Sequence, residues 1–166
     1  MEILDVYDKD GNLTGKTVRR GYQDKELLDN EYVAIAQIYI ENDKGEYLIE
    51  ESAKKTGNRF LPVGGHISHG ETPTSTILRE VEEEIGLDIT KENVVSLGYI
   101  ISDVRLRYIY YLKKNVDINS LSFQKEEVLN VSYMNIDEIN DLIDKGLMHH
   151  SHRKMISRIE EYKKSI

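Results

Sequence analysis

Apolar and polar residues alternate over 2–7 and again over 15–20, on either side of the turn-forming run Asp8-Lys9-Asp10-Gly11-Asn12. This pattern predicts an N-terminal hairpin. A polar connection over 21–30 follows. The β-branched and aromatic run 32–41, the turn Asn42-Asp43-Lys44-Gly45 and the segment 46–50 predict a second hairpin. The basic stretch 53–59 reads as a loop. At Thr72-Pro73 the period changes. Thr72 suits an N-cap and Pro73 the first helical position. Ile77, Val81 and Ile85 recur every fourth residue, Leu78 widens their stripe, and Gly86 supplies a left-handed stop. Strands are predicted over 94–101, 106–112 and 128–134, and helices over 137–145, closed by Gly146, and over 151–163. The order β-β-β-β-α-β-β-β-α-α predicts an α/β fold, a mixed sheet with helices packed on its faces.

Composition narrows the chemistry. The chain has 166 residues, 39% apolar and 31% charged, which fits one globular domain. It has no cysteine, so a disulfide framework, a zinc–thiolate site and a cysteine nucleophile are excluded. A net charge of −8 argues against DNA and anionic membranes as partners. A phosphorylated small molecule stays compatible if a metal ion or a local basic cluster offsets the repulsion. No stretch approaches the roughly 18 apolar residues of a membrane span. The start, Met1-Glu2-Ile3-Leu4-Asp5, lacks the basic and apolar regions of a signal peptide, so the expected location is cytoplasmic.

The informative segment is 65–87. On the predicted helix, Glu80, Glu83 and Glu84 stand at i, i+3 and i+4, which places three carboxylates on one face. Each like-charge pair at ~4–6 Å costs roughly 3–4 kcal/mol at an effective dielectric of about 20. Arg79 can pair with Glu83, but one cation cannot neutralise the cluster. A divalent ion with oxygen ligands can, and Mg²⁺ or Mn²⁺ suits carboxylate, carbonyl and water donors. Such an ion beside a glycine-rich loop is what a polyphosphate substrate requires.

The letters outside the helix sharpen this reading. Gly65, then Glu71 six positions on, then Arg79, Glu80, Val81, Glu83, Glu84, Gly86 and Leu87 fill every defined position of the Nudix box, so the sequence resembles the Nudix superfamily. At ordinary residue frequencies the fixed letters coincide by chance roughly once in 10⁷–10⁸ starting positions. The resemblance implies an α/β/α sandwich with a mixed twisted sheet. It implies one domain over 1–166, with a hairpin arm over 1–30, the box as loop–helix–loop over 65–87 and a C-terminal helix over 151–166. It further implies a Mg²⁺-dependent pyrophosphohydrolase that cleaves a nucleoside diphosphate derivative or a nucleoside triphosphate by water attack at phosphorus.

Carried over residue by residue, the implied metal ligands are Glu80, Glu83, Glu84 and the carbonyl of Gly64, and Arg79 holds the carboxylates in place. Glu71 matches a loop glutamate of structural character. The general base is Glu80 or Glu83, or else a loop glutamate in Gln124-Lys125-Glu126-Glu127-Val128, with Glu127 ahead of Glu126. Lys54, Lys55 and Arg59 precede the box and are candidates to grip substrate phosphates. Arg105 and Arg107 share one face of a predicted strand and Tyr108 and Tyr110 the other. The tyrosines are expected in the core and the arginines at the surface, where Arg107 could meet substrate. Arg19 and Arg20 read as surface charge. His149, His150 and His152 do not have the spacing of a shared metal centre.

Further stretches, among them Pro62-Val63-Gly64-Gly65-His66 and Ile136-Asp137-Glu138-Ile139, are similar to the branch containing isopentenyl diphosphate isomerase. That similarity implies an alternative function. The isomerase, however, needs a cysteine before its Gly-His pair, and here Val63-Gly64 precede Gly65-His66. A nucleotide sensor that binds without cleaving is the other alternative. The oligomeric expectation is a monomer or a homodimer.

Overall fold

The computed structural model describes residues 2–55 and 57–166. Positions 1 and 56, inside the expected arm and the expected 53–59 loop, lie outside the described residues.

The N-terminal hairpin forms as expected, from β1 (Ile3–Tyr7) and β2 (Leu13–Arg19), and is a two-stranded sheet of its own. Leu4, Val6 and Val18 bury against Val33, and bridges from Leu4 to Ser68 and from Tyr7 to Tyr32 hold the hairpin against the rest of the domain. The 21–30 connection contains one turn of helix, α1 (Gln23–Glu26), which has no apolar periodicity to announce it.

The second sheet has seven strands: β3 (Val33–Glu41), β4 (Tyr47–Ser52), β5 (Phe60–Leu61), β6 (Val63–His66), β7 (Val95–Ser102), β8 (Arg105–Lys113) and β9 (Val128–Met134). β3 and β8 run parallel and the other pairs antiparallel, so the sheet is mixed. The central strand β3 is buried along its whole length. Helix α2 (Pro73–Ile85) covers one face over Ala36, Ile38 and Val63. Helices α3 (Ile136–Asp144) and α4 (Ser151–Lys164) cover the other, over Tyr39, Ile49, Ile109 and Tyr111. The result is the expected α/β/α sandwich. No described helix is long and apolar enough to cross a membrane.

Two differences from expectation shape the site. The segment from Phe60 to His66, to which no element was assigned, forms β5 and β6. Strand β6 pairs with β3 over Ile35–Ile38, whereas β3 meets β4 only at Glu41 and Tyr47. The sheet therefore forks between β3 and β4, and the fork opens a cavity. The second difference is Arg107, expected at the surface but only 6% exposed. Two-residue alternation correctly assigns it to the face opposite Tyr108 and Tyr110. That face is also covered, so the arginine is buried.

Candidate active site

Helix α2 is fixed at both ends. Thr72 and Ser75 form a reciprocal capping box, Pro73 occupies the first turn, and Gly86 closes the helix at φ +70°. Ile77, Val81 and Ile85 are fully buried. This anchoring grades the acidic face. Glu84 borders the apolar stripe and is 4% exposed, Glu80 is half-buried, and Glu83 stands half in solvent.

Arg79 brackets the cluster. Its Nε and Nη2 donate to Glu71 at 2.8 and 2.9 Å, and its Nη1 lies 3.0 Å from Glu80 and 2.9 Å from Glu83. Glu71 also accepts the Ser68 backbone N–H, and these donors hold its carboxyl below the usual range. Glu71 is thus a brace that locks Arg79, as expected of a structural loop residue.

A cavity of about 450 Å³ lies in the fork of the sheet, walled by α2 and by strands β3, β4, β5 and β6. Glu80, Glu83, Glu84, Gly64 and Arg79 all face it. Glu127 joins them because its loop is tied to the end of α2: Ser122 N–H donates to the Ile85 carbonyl and Gln124 N–H to that of Glu84. Glu126 is exposed and outside the cavity. Lys54 reaches the same wall and pairs with Glu127 at 2.8 Å. Arg59 instead points outward and pairs with Glu51 at 2.8 Å, and neither it nor Arg107 lines the cavity.

Sequence reasoning missed three contributors. Glu50 on β4 is 3% exposed, and its Oε2 has no hydrogen-bond partner. The available signal was an acid interrupting Tyr47-Leu48-Ile49 on the inward-facing register of Leu48. Arg20 is exposed, as expected, but it also lines the cavity and pairs with Glu2 at 2.8 Å. His66 lines it as well.

The glycine pair at the start of the box has a steric cause. A Cβ on Gly64 would lie 2.0 Å from the Ala36 carbonyl oxygen, and one on Gly65 would lie 2.7 Å from the Glu80 carboxylate. Bare backbone at both positions lets β6 nest on β3 and lets Glu80 lie over the strand.

The electrostatics are those of an uncompensated anion site. Burial, and then the charge of Glu84, raises Glu50. Burial, and then the charge of Glu80, raises Glu84. Burial also raises Glu80 against the pull of Arg79. Glu84 Oε1 and Glu50 Oε2 are buried with no partner. Unpaired buried acceptors beside like charges are costly, and an oxygen-seeking divalent cation relieves both costs at once. Among the described residues, no three acidic or histidine side chains stand together in an arrangement that would hold a metal ion. Glu80 and Glu83 are both paired with Arg79.

A pH dependence follows. Above about pH 4.5 the unfolded chain ionises Glu84, whereas the folded, metal-free protein keeps its proton to a higher pH. Glu84 therefore favours folding at acid pH, and that contribution is lost as pH rises through neutrality. In EDTA, the thermal midpoint of wild type is expected to fall relative to that of Glu84→Gln between pH 5 and pH 8. Parallel curves would show that Glu84 ionises normally.

A family model described as the NUDIX domain matches residues 31–159. An uncharacterized Nudix hydrolase of Listeria monocytogenes is 31% identical over 151 residues, covering 88% of this chain and 87% of its own length. An isopentenyl-diphosphate Δ-isomerase of Corynebacterium diphtheriae is 28% identical over 113 residues, 66% of this chain and 59% of its own. Among solved structures, the Deinococcus radiodurans protein DR0079 superposes with a TM-score of 0.69 at 18% identity, covering 87% of this chain and 90% of that one.

Proposed function

The chain belongs to the Nudix family of phosphoanhydride hydrolases, and from that premise we propose that it is a Mg²⁺-dependent pyrophosphohydrolase acting on a nucleoside diphosphate derivative or a nucleoside triphosphate. The observation that carries the reading is that Glu50, Glu80, Glu83, Glu84 and Glu127 face one cavity, which Glu2 lines as well, with two buried oxygens unpartnered.

Glu80, Glu83, Glu84 and the Gly64 carbonyl would hold the ion, with Mn²⁺ as a substitute. Glu50 supports Glu84 from the opposite strand. Bound there, the ion would neutralise phosphate oxygens and acidify water. Arg79, locked by Glu71, fixes the acidic face. Lys54, paired with Glu127, is placed to reach a substrate phosphate, and in doing so it would release Glu127. Glu127 then stands at the cavity lip as a carboxylate able to take the proton of the attacking water. Glu80 and Glu83 are weaker candidates for that role, because both hold Arg79.

The isomerase alternative lacks its cysteine, and no isomerisation of isopentenyl diphosphate is expected with Mg²⁺. The test is a phosphate-release screen over nucleoside triphosphates, nucleotide sugars, dinucleoside polyphosphates and coenzyme A, with and without Mg²⁺. Turnover of at least one compound only with metal supports a hydrolase. Binding that leaves every compound whole identifies a sensor.

A further inference from the structure

Arg107 has a position that packing alone does not explain. It is nearly fully buried, yet among the described residues it makes no ion pair and its Nε meets no acceptor. Burial and neighbouring Arg105 push its basicity down to about 10 against the pull of Asp103, which lies nearby without forming an ion pair with it, so it carries a positive charge at neutral pH. A buried guanidinium without a paired counter-charge is costly. An arginine kept in that state is poised for an anion that arrives from outside.

The register shows where the anion would come from. His66 on β6, Ile35 on β3 and Arg107 on β8 lie opposite one another in a single cross-strand row, so their side chains share one sheet face. His66 and Ile35 line the active-site cavity. Gln37, two residues from Ile35 on that face, also lines the cavity, is 4% exposed and has an unpartnered Oε1. His66 Nε2 is buried and unpartnered too. Arg20, Arg105 and Arg107 lie near His66, with Glu2 opposing them. The cavity thus runs from an acidic wall on α2 and β4 to His66 and Ile35, and Arg107 stands one strand beyond them in the same row, outside its lining.

We propose that Arg107, with Gln37 and His66, receives a second anionic group of the substrate, a phosphate monoester or a carboxylate on the moiety beyond the diphosphate. This assignment rests on the reading that the carboxylate wall takes the diphosphate. A planar guanidinium recognises either oxyanion through paired N–H donors.

The test has a metal-free arm and a kinetic arm. In EDTA at constant ionic strength, millimolar inorganic phosphate is expected to raise the thermal midpoint of wild type by several degrees over chloride, and that of Arg107→Gln by less than one degree. Without phosphate, Arg107→Gln is expected to melt at or above wild type, because a buried unpaired charge has been removed. No wild-type shift, or equal shifts in both proteins, would overturn the proposal. Should Arg107→Gln not fold, Arg107→Lys keeps the charge without the fork and is expected to weaken the phosphate response at least threefold.

The kinetic arm compares twins that share a diphosphate and differ in one anion: coenzyme A with 3′-dephospho-coenzyme A, and UDP-glucuronate with UDP-glucose. The anionic twin of one pair is expected to have at least a tenfold higher kcat/KM, collapsing to within twofold in Arg107→Gln. The favoured pair distinguishes phosphate from carboxylate. Ratios near one in both pairs would overturn the proposal. If wild type hydrolyses none of the four compounds while the screen above finds a substrate, the second-anion assignment fails and the hydrolase reading stands. If no compound is hydrolysed anywhere, that reading fails, and the phosphate arm alone decides the anion site.

Discussion

Glu84→Gln is expected to lower turnover by ~10²-fold or more, with the fold intact and the metal-free protein melting higher than wild type at pH 8. Both effects have one origin. Glu84 is held at the rim of the apolar stripe of α2, 4% exposed, with one oxygen unpartnered and with Glu50 and Glu80 close by. Replacing it by the isosteric amide removes a donor from the proposed ion site. Even changes to groups that merely orient metal ligands cost about 10–100-fold, and loss of a ligand costs more. The same change removes an acid whose ionisation in the metal-free site is opposed by burial and by Glu80, and so relieves that cost at pH 8. Glu83→Gln separates the two effects. Glu83 stands half in solvent and pairs with Arg79, so its loss should cut turnover comparably with little gain in melting temperature. Wild-type turnover in both variants would refute the site.

The second large effect is predicted for Gly64→Ala. The added methyl would sit 2.0 Å from the Ala36 carbonyl oxygen and 2.8 Å from Gln37 Cα. Both are backbone atoms of the central strand, so no side-chain rotation relieves the contact. β6 would have to leave β3, breaking the pairing over Ile35–Ile38 and displacing the carbonyl proposed to face the ion. The expected cost exceeds about 3 kcal/mol, the upper end of ordinary overpacking, read as a shift in the urea midpoint at unchanged slope. Gly65→Ala makes the useful contrast. Its methyl would meet the Glu80 carboxylate, which can swing away, so activity should fall further than stability. A Gly64→Ala protein as stable as wild type would mean that β6 does not pack on β3 as described.

What the sequence made legible and what it hid follow from range. Helix α2, its caps and its three aligned carboxylates are local features written in consecutive residues, and they could be read directly. β6 could not, because Val63-Gly64-Gly65-His66 has little strand propensity of its own and is extended only by pairing with a strand some thirty positions away. Glu50, Arg20 and His66 reach the cavity for the same reason: the forked sheet and the packed hairpin bring them there. Arg107 shows the limit of alternation. The period of two assigned its face correctly, but an α/β/α sandwich covers both faces of its central strands, so an outward arginine became a buried one. Glu50 was readable in principle as a charge within an apolar strand run.

The most direct measurement is titration of Mn²⁺, followed by electron paramagnetic resonance, into wild type and a Glu80→Gln/Glu84→Gln double variant whose fold has been verified by circular dichroism. The prediction is saturable binding in wild type that Mg²⁺ displaces, with affinity lowered at least tenfold in the double variant. Equal binding by the two proteins, or none by wild type, would contradict the assignment of a divalent-cation site to the acidic face of α2.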